Sequence, residues 1–193
     1  HCEGKDNAAV GFPCQEAQGV RATASIWKIT SLLNQPRISV YAGGLRNAMG
    51  MAWSPTGALV VTENGRDNIN QADKKLSDAK LPHDELNVVK SGRDYGWPYC
   101  YDNNRLNPEY RMRSKACAGK VKPAQLLPAH SAPLGILLYP NDGEITALRG
   151  QFLIALHGYR DTGHRVISVN ADTMRSSHEV VGAWAATDNQ PMG

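Results

Sequence analysis

Between Gly50 and Thr62 the chain reads GMAWSPTGALVVT, two short apolar runs separated by Pro55-Thr56-Gly57. A Pro/Gly turn between runs of this length joins antiparallel strands, so residues 50–54 and 58–62 are expected to form a hairpin. That hairpin constrains its surroundings. Antiparallel strands return to the side they left, which brings Arg46-Asn47, before the first strand, and Glu63-Asn64-Gly65-Arg66-Asp67, after the second, to one sheet edge. A third strand over residues 86–89, opened by Asp84-Glu85, is expected to follow in meander order and to start at that edge too. Three loops carrying a guanidinium, an amide and several carboxylates then converge, and polar loop groups on a β scaffold are where sites are built. Each cluster taken singly also has an ordinary reading as loop chemistry.

The rest of the chain reads as more of the same class, all-β. Residues 24–30 and 37–42 are expected strands, with Ile26, Trp27 and Ile29 in the first and Ile38 and Val40 on one face of the second. They fit the outer strands of a sheet whose inner strands are not in the chain. Residues 68–83 are polar and read as a surface excursion, with a helical turn around 72–79 as the alternative. Tyr95-Gly96-Trp97-Pro98 closes the sheet, since proline ends ladder pairing. Residues 99–127 are rich in Asn, Arg and Lys and are expected to hold little regular structure. A further sheet is expected from 135–139, 151–156, 165–170 and an outer strand at 179–184.

Composition removes several function classes. The net charge of +3 over 193 residues argues for neither a nucleic-acid binder nor a membrane-surface protein. No apolar run approaches the roughly 20 residues that span a bilayer, and the first residues, HCEGKDNAAVG, are not a signal peptide. The start at His rather than Met is expected to mark a processed or excised piece. The four cysteines fall in two local pairs within polar loops, which favours the disulfides Cys2–Cys14 and Cys100–Cys117 and an oxidising compartment, with free thiols as the alternative.

Four stretches, LRNAMGMAWSPTGALVVTENGRD, DELNVVKSGRDYGWP, AHSAPLGILLYP and FLIALHGYRDTGHRVISV, occur in this order. Together they resemble the glucose/sorbosone dehydrogenase family of pyrroloquinoline quinone (PQQ) enzymes, over about residues 26–193. The resemblance implies a six-bladed β-propeller, of which the chain, as a single domain over 1–193, covers about two full blades and one partial blade. An open arc would leave apolar blade faces uncovered, so the chain is expected to be part of a longer protein and inactive by itself. The implied activity is PQQ-dependent oxidation of a sugar or sugar aldehyde, with hydride passing to the quinone and electrons leaving to an external acceptor. The implied location is periplasmic or secreted.

The resemblance also assigns residues. Arg46 and Asn47 are implied cofactor ligands, Arg46 also polarising the quinone; a guanidinium suits a tricarboxylate with an electrophilic carbonyl. Read alone, Arg-Asn before a strand is a turn and a surface charge. The backbone carbonyls of Gly65 and Arg66 are implied Ca²⁺ ligands, consistent with the ion's preference for oxygen. Some relatives have Pro where this chain has Arg66; carbonyl ligation survives that difference, but the added charge is unhelpful beside Ca²⁺ unless Glu63 or Asp67 pairs with it. Asp84 is implied to orient a base or bind sugar, although it could equally cap a strand entry. Tyr95 falls near the metal side or in the core. His130, His157 and Arg160 are implied to border the cofactor. The general-base His lies, by the same resemblance, on a preceding blade. Two rival readings remain, a non-enzymatic binding propeller and a calcium-dependent, lactonase-like hydrolase. The latter would draw on Glu63, Asp84 and Asn47.

Overall fold

The structure, a computed structural model, describes residues 12–182. Strands β1 (Ser25–Thr30) and β2 (Arg37–Gly43) form an antiparallel pair, the first sheet. Next come β3 (Ala48–Trp53) and β4 (Leu59–Glu63), the hairpin expected around Pro55. At its turn the Gly57 N–H donates to the Ser54 carbonyl and the Ser54 N–H to the Ala58 carbonyl. Gly57 takes a φ of 78°, which only glycine adopts without strain.

After a one-turn helix, α1 (Ile69–Ala72), strand β5 (Asp84–Val89) pairs antiparallel with β4 and sets Glu63 opposite Glu85. The chain then makes a small hairpin from β6 (Cys100–Tyr101) and β7 (Arg105–Leu106). It returns as β8 (Gln125–Leu127) along the outer side of β5. The second sheet is therefore β3-β4-β5-β8. A third sheet follows as a plain meander of β9 (Pro133–Leu138), β10 (Gln151–Leu156), β11 (Arg165–Asn170) and β12 (Ser176–Val181).

The second sheet lies between the other two, and its sequence records this. Strand β4 reads LVVTE, apolar without alternation, because both of its faces are covered. Val60 packs with Leu86, Phe152, Ile154 and Leu156 toward the third sheet, whereas Val61 packs with Ile26, Ala42 and Leu45 toward the first. Each fully buried side chain of that size stabilises the interface by about 1.5–3 kcal/mol. Strand β9 runs against β3. Gly50 makes that approach possible, since a Cβ there would press on the Thr62 hydroxyl and the Leu134 carbonyl. The outward sides of β1, β2 and β3 carry exposed Trp27, Ile29, Ile38, Met51 and Trp53.

Residues 99–127 hold little regular structure, as expected: besides β6, β7 and β8 there is a single 3₁₀ turn (Pro108–Tyr110), and the expected Cys100–Cys117 disulfide is formed, with Cα atoms 5.8 Å apart. Tyr99 and Tyr110, with ring centroids 4.9 Å apart, give this segment its own small core beside Phe12. Two other expectations need correction. The helical turn sits at Ile69–Ala72, upstream of 72–79, because Ile69 and Ala72 are the apolar pair with a core to enter. The outer strand of the third sheet, expected over 179–184, starts earlier, as Ser176–Val181, and residues 183–184 of that expectation lie outside the described residues. Of the other expected disulfide, Cys2 lies outside the described residues.

Candidate functional site at the loop edge of the second sheet

The hairpin delivers its polar ends to one edge, as the sequence requires. The Arg46 N–H donates to Glu63 Oε1 at 2.5 Å, and the Arg46 guanidinium donates from Nη1 to the Gly65 carbonyl at 2.9 Å. Asn47 is exposed beside it, its carbonyl accepting the Asn64 N–H at 3.1 Å. Arg46 and Gly65 both line a cleft whose other walls include Arg66, Glu63, Glu85, Tyr95, Trp97, Tyr101 and Asn107.

Two carboxylates from facing register positions share the cleft floor. One Asn87 amide donates to Glu63 Oε2 at 3.0 Å and to Glu85 Oε2 at 3.1 Å. Burial pushes Glu63 up to about 8, against the partial relief of the Arg46 N–H and guanidinium. Burial, and then the charge of Glu63, hold Glu85 well above the ordinary carboxylate range. Two buried acids with one amide between them favour a proton over a second charge.

Asp84 is held on every side. Its Oδ1 accepts the Gly65 N–H at 2.7 Å, and its Oδ2 accepts the Ala132 N–H at 2.8 Å and the Ser131 hydroxyl at 3.0 Å. The residue is 2 % exposed, and burial raises its pKa against those hydrogen bonds. It fastens the Gly65 loop to the segment before β9. That segment takes positive φ at His130 (57°) and Ala132 (48°), costly for residues with a Cβ and sustained by what surrounds them. Gly158 is part of the support. A side chain there would collide with the His130 carbonyl, and its N–H donates to the Ser131 carbonyl at 2.8 Å.

His130 and Arg160 meet, but on an acid of the chain itself. Arg160 donates from Nη1 to the Asp78 carbonyl at 3.0 Å and from Nη2 to Asp78 Oδ2 at 2.9 Å. The His130 ring, 7 % exposed, places Nε2 at 2.5 Å from the same carbonyl and Nδ1 at 3.2 Å from Asp67 Oδ1. His157, at the end of β10, is exposed and joins this edge through its backbone N–H to the Ala132 carbonyl.

Arg66 finds a different partner from the two acids expected. Its Nη1 lies 2.6 Å from Glu109 Oε1, both side chains being almost fully buried, although the alignment is not that of a hydrogen bond. This turns the Arg66 charge toward the 99–127 segment. Tyr95 belongs to the core by its ring and to β5 by its hydroxyl, which donates to the Val88 carbonyl at 2.6 Å.

Sequence reasoning placed Glu85 at this edge without its pairing to Glu63, and missed Asn87, Asp78, Glu109 and His83 as parts of it. His83, which nothing in the sequence supported, accepts or donates at Nδ1 toward Asp102 Oδ2 at 3.1 Å. Glu85 and Asn87 had a signal available: both stand at alternate positions of a strand paired with Glu63, so all three share one face. For Asp78 and Glu109 no local signal exists.

The cleft has a hydrogen-bond donor suited to an anionic group in Arg46; Asn47, exposed next to it in sequence, is not part of the lining. For a cation the fit is conditional. The Gly65 carbonyl is a hard oxygen, but it already accepts from the Arg46 guanidinium, so a cation taking its second lone pair would sit beside a positive charge. Among the described residues no three His, Cys, Asp or Glu side chains are grouped to hold a metal.

Comparison with known proteins adds the following. The profile of a family described as Glucose / Sorbosone dehydrogenase matches residues 24–182. A protein of Borreliella burgdorferi described as uncharacterized is 24 % identical over 147 residues, which is 73 % of this chain and 37 % of that one. The PQQ-bound aldose sugar dehydrogenase of Streptomyces coelicolor is similar in structure with a TM-score of 0.52 and 23 % identity, over 81 % of this chain and 37 % of that one. The soluble aldose sugar dehydrogenase of Escherichia coli, solved in its apo-form, is similar with a TM-score of 0.59 and 21 % identity, over 90 % and 49 %. At this identity the structural likeness concerns the fold, that of β-propeller dehydrogenases. The chain spans less than half the length of each.

Proposed function

The chain belongs to the glucose/sorbosone dehydrogenase family, and from that premise we propose that it is a section of an enzyme oxidising a sugar or sugar aldehyde with PQQ. In this reading the second and third sheets are two full blades, and β1–β2 a partial blade, of a six-bladed β-propeller. The remaining blades would cover the apolar side chains that β1, β2 and β3 leave exposed. The observation that carries the reading is the meeting of Arg46 with Gly65 on the rim of one cleft. The two residues that the family motifs assign to cofactor and metal are in contact, 19 positions apart in sequence.

PQQ supplies the electrophilic quinone that accepts hydride, and the protein binds and orients. Arg46 gives it a half-buried positive charge with directed donors, strong for a carboxylate or a polarised carbonyl. Asn47, exposed next to it in sequence, adds an uncharged donor. His157, exposed at the end of β10, would face the cofactor from the third sheet, with His130 and Arg160 in the neighbouring loops. Asp84, with both oxygens already engaged, acts by holding the Gly65 loop to His130 rather than by moving a proton. The Gly65 and Arg66 carbonyls would hold calcium as the accompanying metal, which would supply Lewis-acid polarisation of the quinone. The general base belongs to a preceding blade.

The acceptor of electrons is external, and the location is periplasmic or secreted, as the Cys100–Cys117 disulfide favours. No helix among the described residues is long and apolar enough to cross a membrane. A lactonase-like hydrolase gains nothing from the geometry, since Glu63 and Asp84 are buried and engaged with this chain's own donors.

The test is Arg46→Ala in the complete protein, assayed by dye reduction with PQQ and a panel of sugars. Turnover is expected to fall by on the order of a hundredfold or more, the scale of losing one preorganised charged donor, while the denaturation midpoint stays put. Unchanged turnover would remove Arg46 from the site.

A further inference from the structure

The 64–83 loop carries the Gly65 carbonyl, yet little holds the loop except polar ties. Its buried apolar anchors in helix α1 are Ile69 and Ala72 alone, and ordering twenty residues of backbone needs more than that. Arg66 at Glu109 and the His83 N–H on Asp102 Oδ1 tie it to the 99–127 segment, and Asp78 supplies the tie toward the third sheet. Its Oδ1 accepts the Ile69 N–H at 3.2 Å, closing the loop on its own helix, and its Oδ2 and carbonyl take two guanidinium donors of Arg160, 82 positions away. The same carbonyl faces His130 Nε2. One residue thus ties the loop of the second sheet to two different loops of the third.

We propose that Asp78 is a positioning residue of the site, strapping the 64–83 loop across the seam between the second and third sheets so that Gly65 stays opposite Arg46. His130 and Arg160 serve that strap. Both ring nitrogens of His130 face acceptors, Asp67 Oδ1 and the Asp78 carbonyl, and two Arg160 nitrogens are directed at Asp78. Their geometry is that of anchors for the loop rather than of groups awaiting a ligand. Asp84 fixes the near end of the loop and Asp78 the far end, and both act on the segment from 130 to 132 or its neighbour Arg160. One attachment holds Gly65 directly and the other holds the loop that follows it, where the first alone would leave residues 66–83 to pull on the Gly65 carbonyl.

The inference deepens the dehydrogenase reading and rests on it only for its second readout. The first readout is hydrogen exchange by mass spectrometry on the complete protein without cofactor. Asp78→Ala and Arg160→Gln should each speed exchange over residues 64–83 by on the order of tenfold, the effect of losing a charge-assisted hydrogen bond. The double variant should add little to the larger single effect, and Arg160→Lys, which keeps the charge and one donor, should recover part of the protection. The second readout is PQQ titration followed by sugar turnover. Asp78→Ala should weaken PQQ binding and lower kcat while the KM for sugar stays close to its original value. Unaltered exchange in Asp78→Ala would overturn the strap. Tighter PQQ binding in that variant would overturn it too, making Asp78 an internal competitor for cofactor residues. If Asp78→Ala does not fold, Arg160→Gln, on the more exposed half of the pair, carries the same comparison. If the protein binds no PQQ at all, the dehydrogenase reading fails while the exchange result still decides the strap.

Discussion

Glu63 and Asp78 are carboxylates on either side of one loop, and the fold displaces them in opposite directions. Glu63 is buried with an amide and a backbone N–H, its nearest guanidinium being turned to a carbonyl, and burial carries its pKa up to about 8. Asp78 sits nearer the surface, and although burial opposes it, the Arg160 hydrogen bond and the neighbouring His130 bring its pKa below the ordinary value. The difference lies in how much desolvation must be offset and how squarely a cation is aimed at the oxygens. Where Arg160 points at carboxylate oxygen, the acid holds its charge and acts as a tether. Where Asn87 serves two acids at once, a proton is the better occupant.

The largest effect should come from the residue that links the two regions. Asp84→Ala strips the acceptor from the Gly65 and Ala132 N–H groups and the Ser131 hydroxyl, all at the seam. Leaving three such donors without a partner should cost about 3 kcal/mol, read as a lower urea midpoint at unchanged slope. An Asp84→Ala protein as stable as the parent would show that Gly65 and His130 are held by something else.

The pH dependence separates the two acids by sign. For Glu63 the folded pKa lies above the unfolded one, so its contribution is fully present below the unfolded value of 4.5 and is lost as pH rises toward about 8. For Asp78 the folded pKa is depressed, so its contribution is present above the unfolded value of 3.8 and is lost as pH falls through the lower folded value. Urea midpoints in the presence of chelator should therefore decline between pH 5 and 8 in the parent. In Glu63→Gln that decline should be flatter; an identical slope would contradict the burial account of Glu63.

The smallest effect should be that of salt on the tether. Asp78→Asn should cost about 1 kcal/mol at low ionic strength, as a partly exposed ion pair does, and the cost should shrink in high salt. The absence of a cost at every salt concentration would assign the tether to the Asp78 carbonyl alone.

What the sequence disclosed follows the range of the interactions involved. The β3–β4 hairpin was legible because its turn chemistry and apolar runs are contiguous, and strands β10 and β11 matched their expected bounds because β10 is almost wholly apolar and β11 carries Val166, Ile167 and Val169 between polar ends. Strand β8 was not legible: three residues cannot show a period, and it exists only because β5 offers an open edge. At the site, Arg46 with Gly65 follows from hairpin geometry alone. Glu109 on Arg66 and Arg160 on Asp78 join positions 43 and 82 apart through the packing of separate sheets, and nothing local announces them.

The most direct measurement is a titration of PQQ into the complete protein with Ca²⁺ present, followed in the same sample by dye reduction with a sugar and sugar-aldehyde panel. The account predicts saturable PQQ binding with chelator-sensitive, PQQ-dependent turnover, both lost in Arg46→Ala. A folded protein that binds no PQQ and turns over none of the panel would contradict it, and would leave the family's scaffold serving as a binding module.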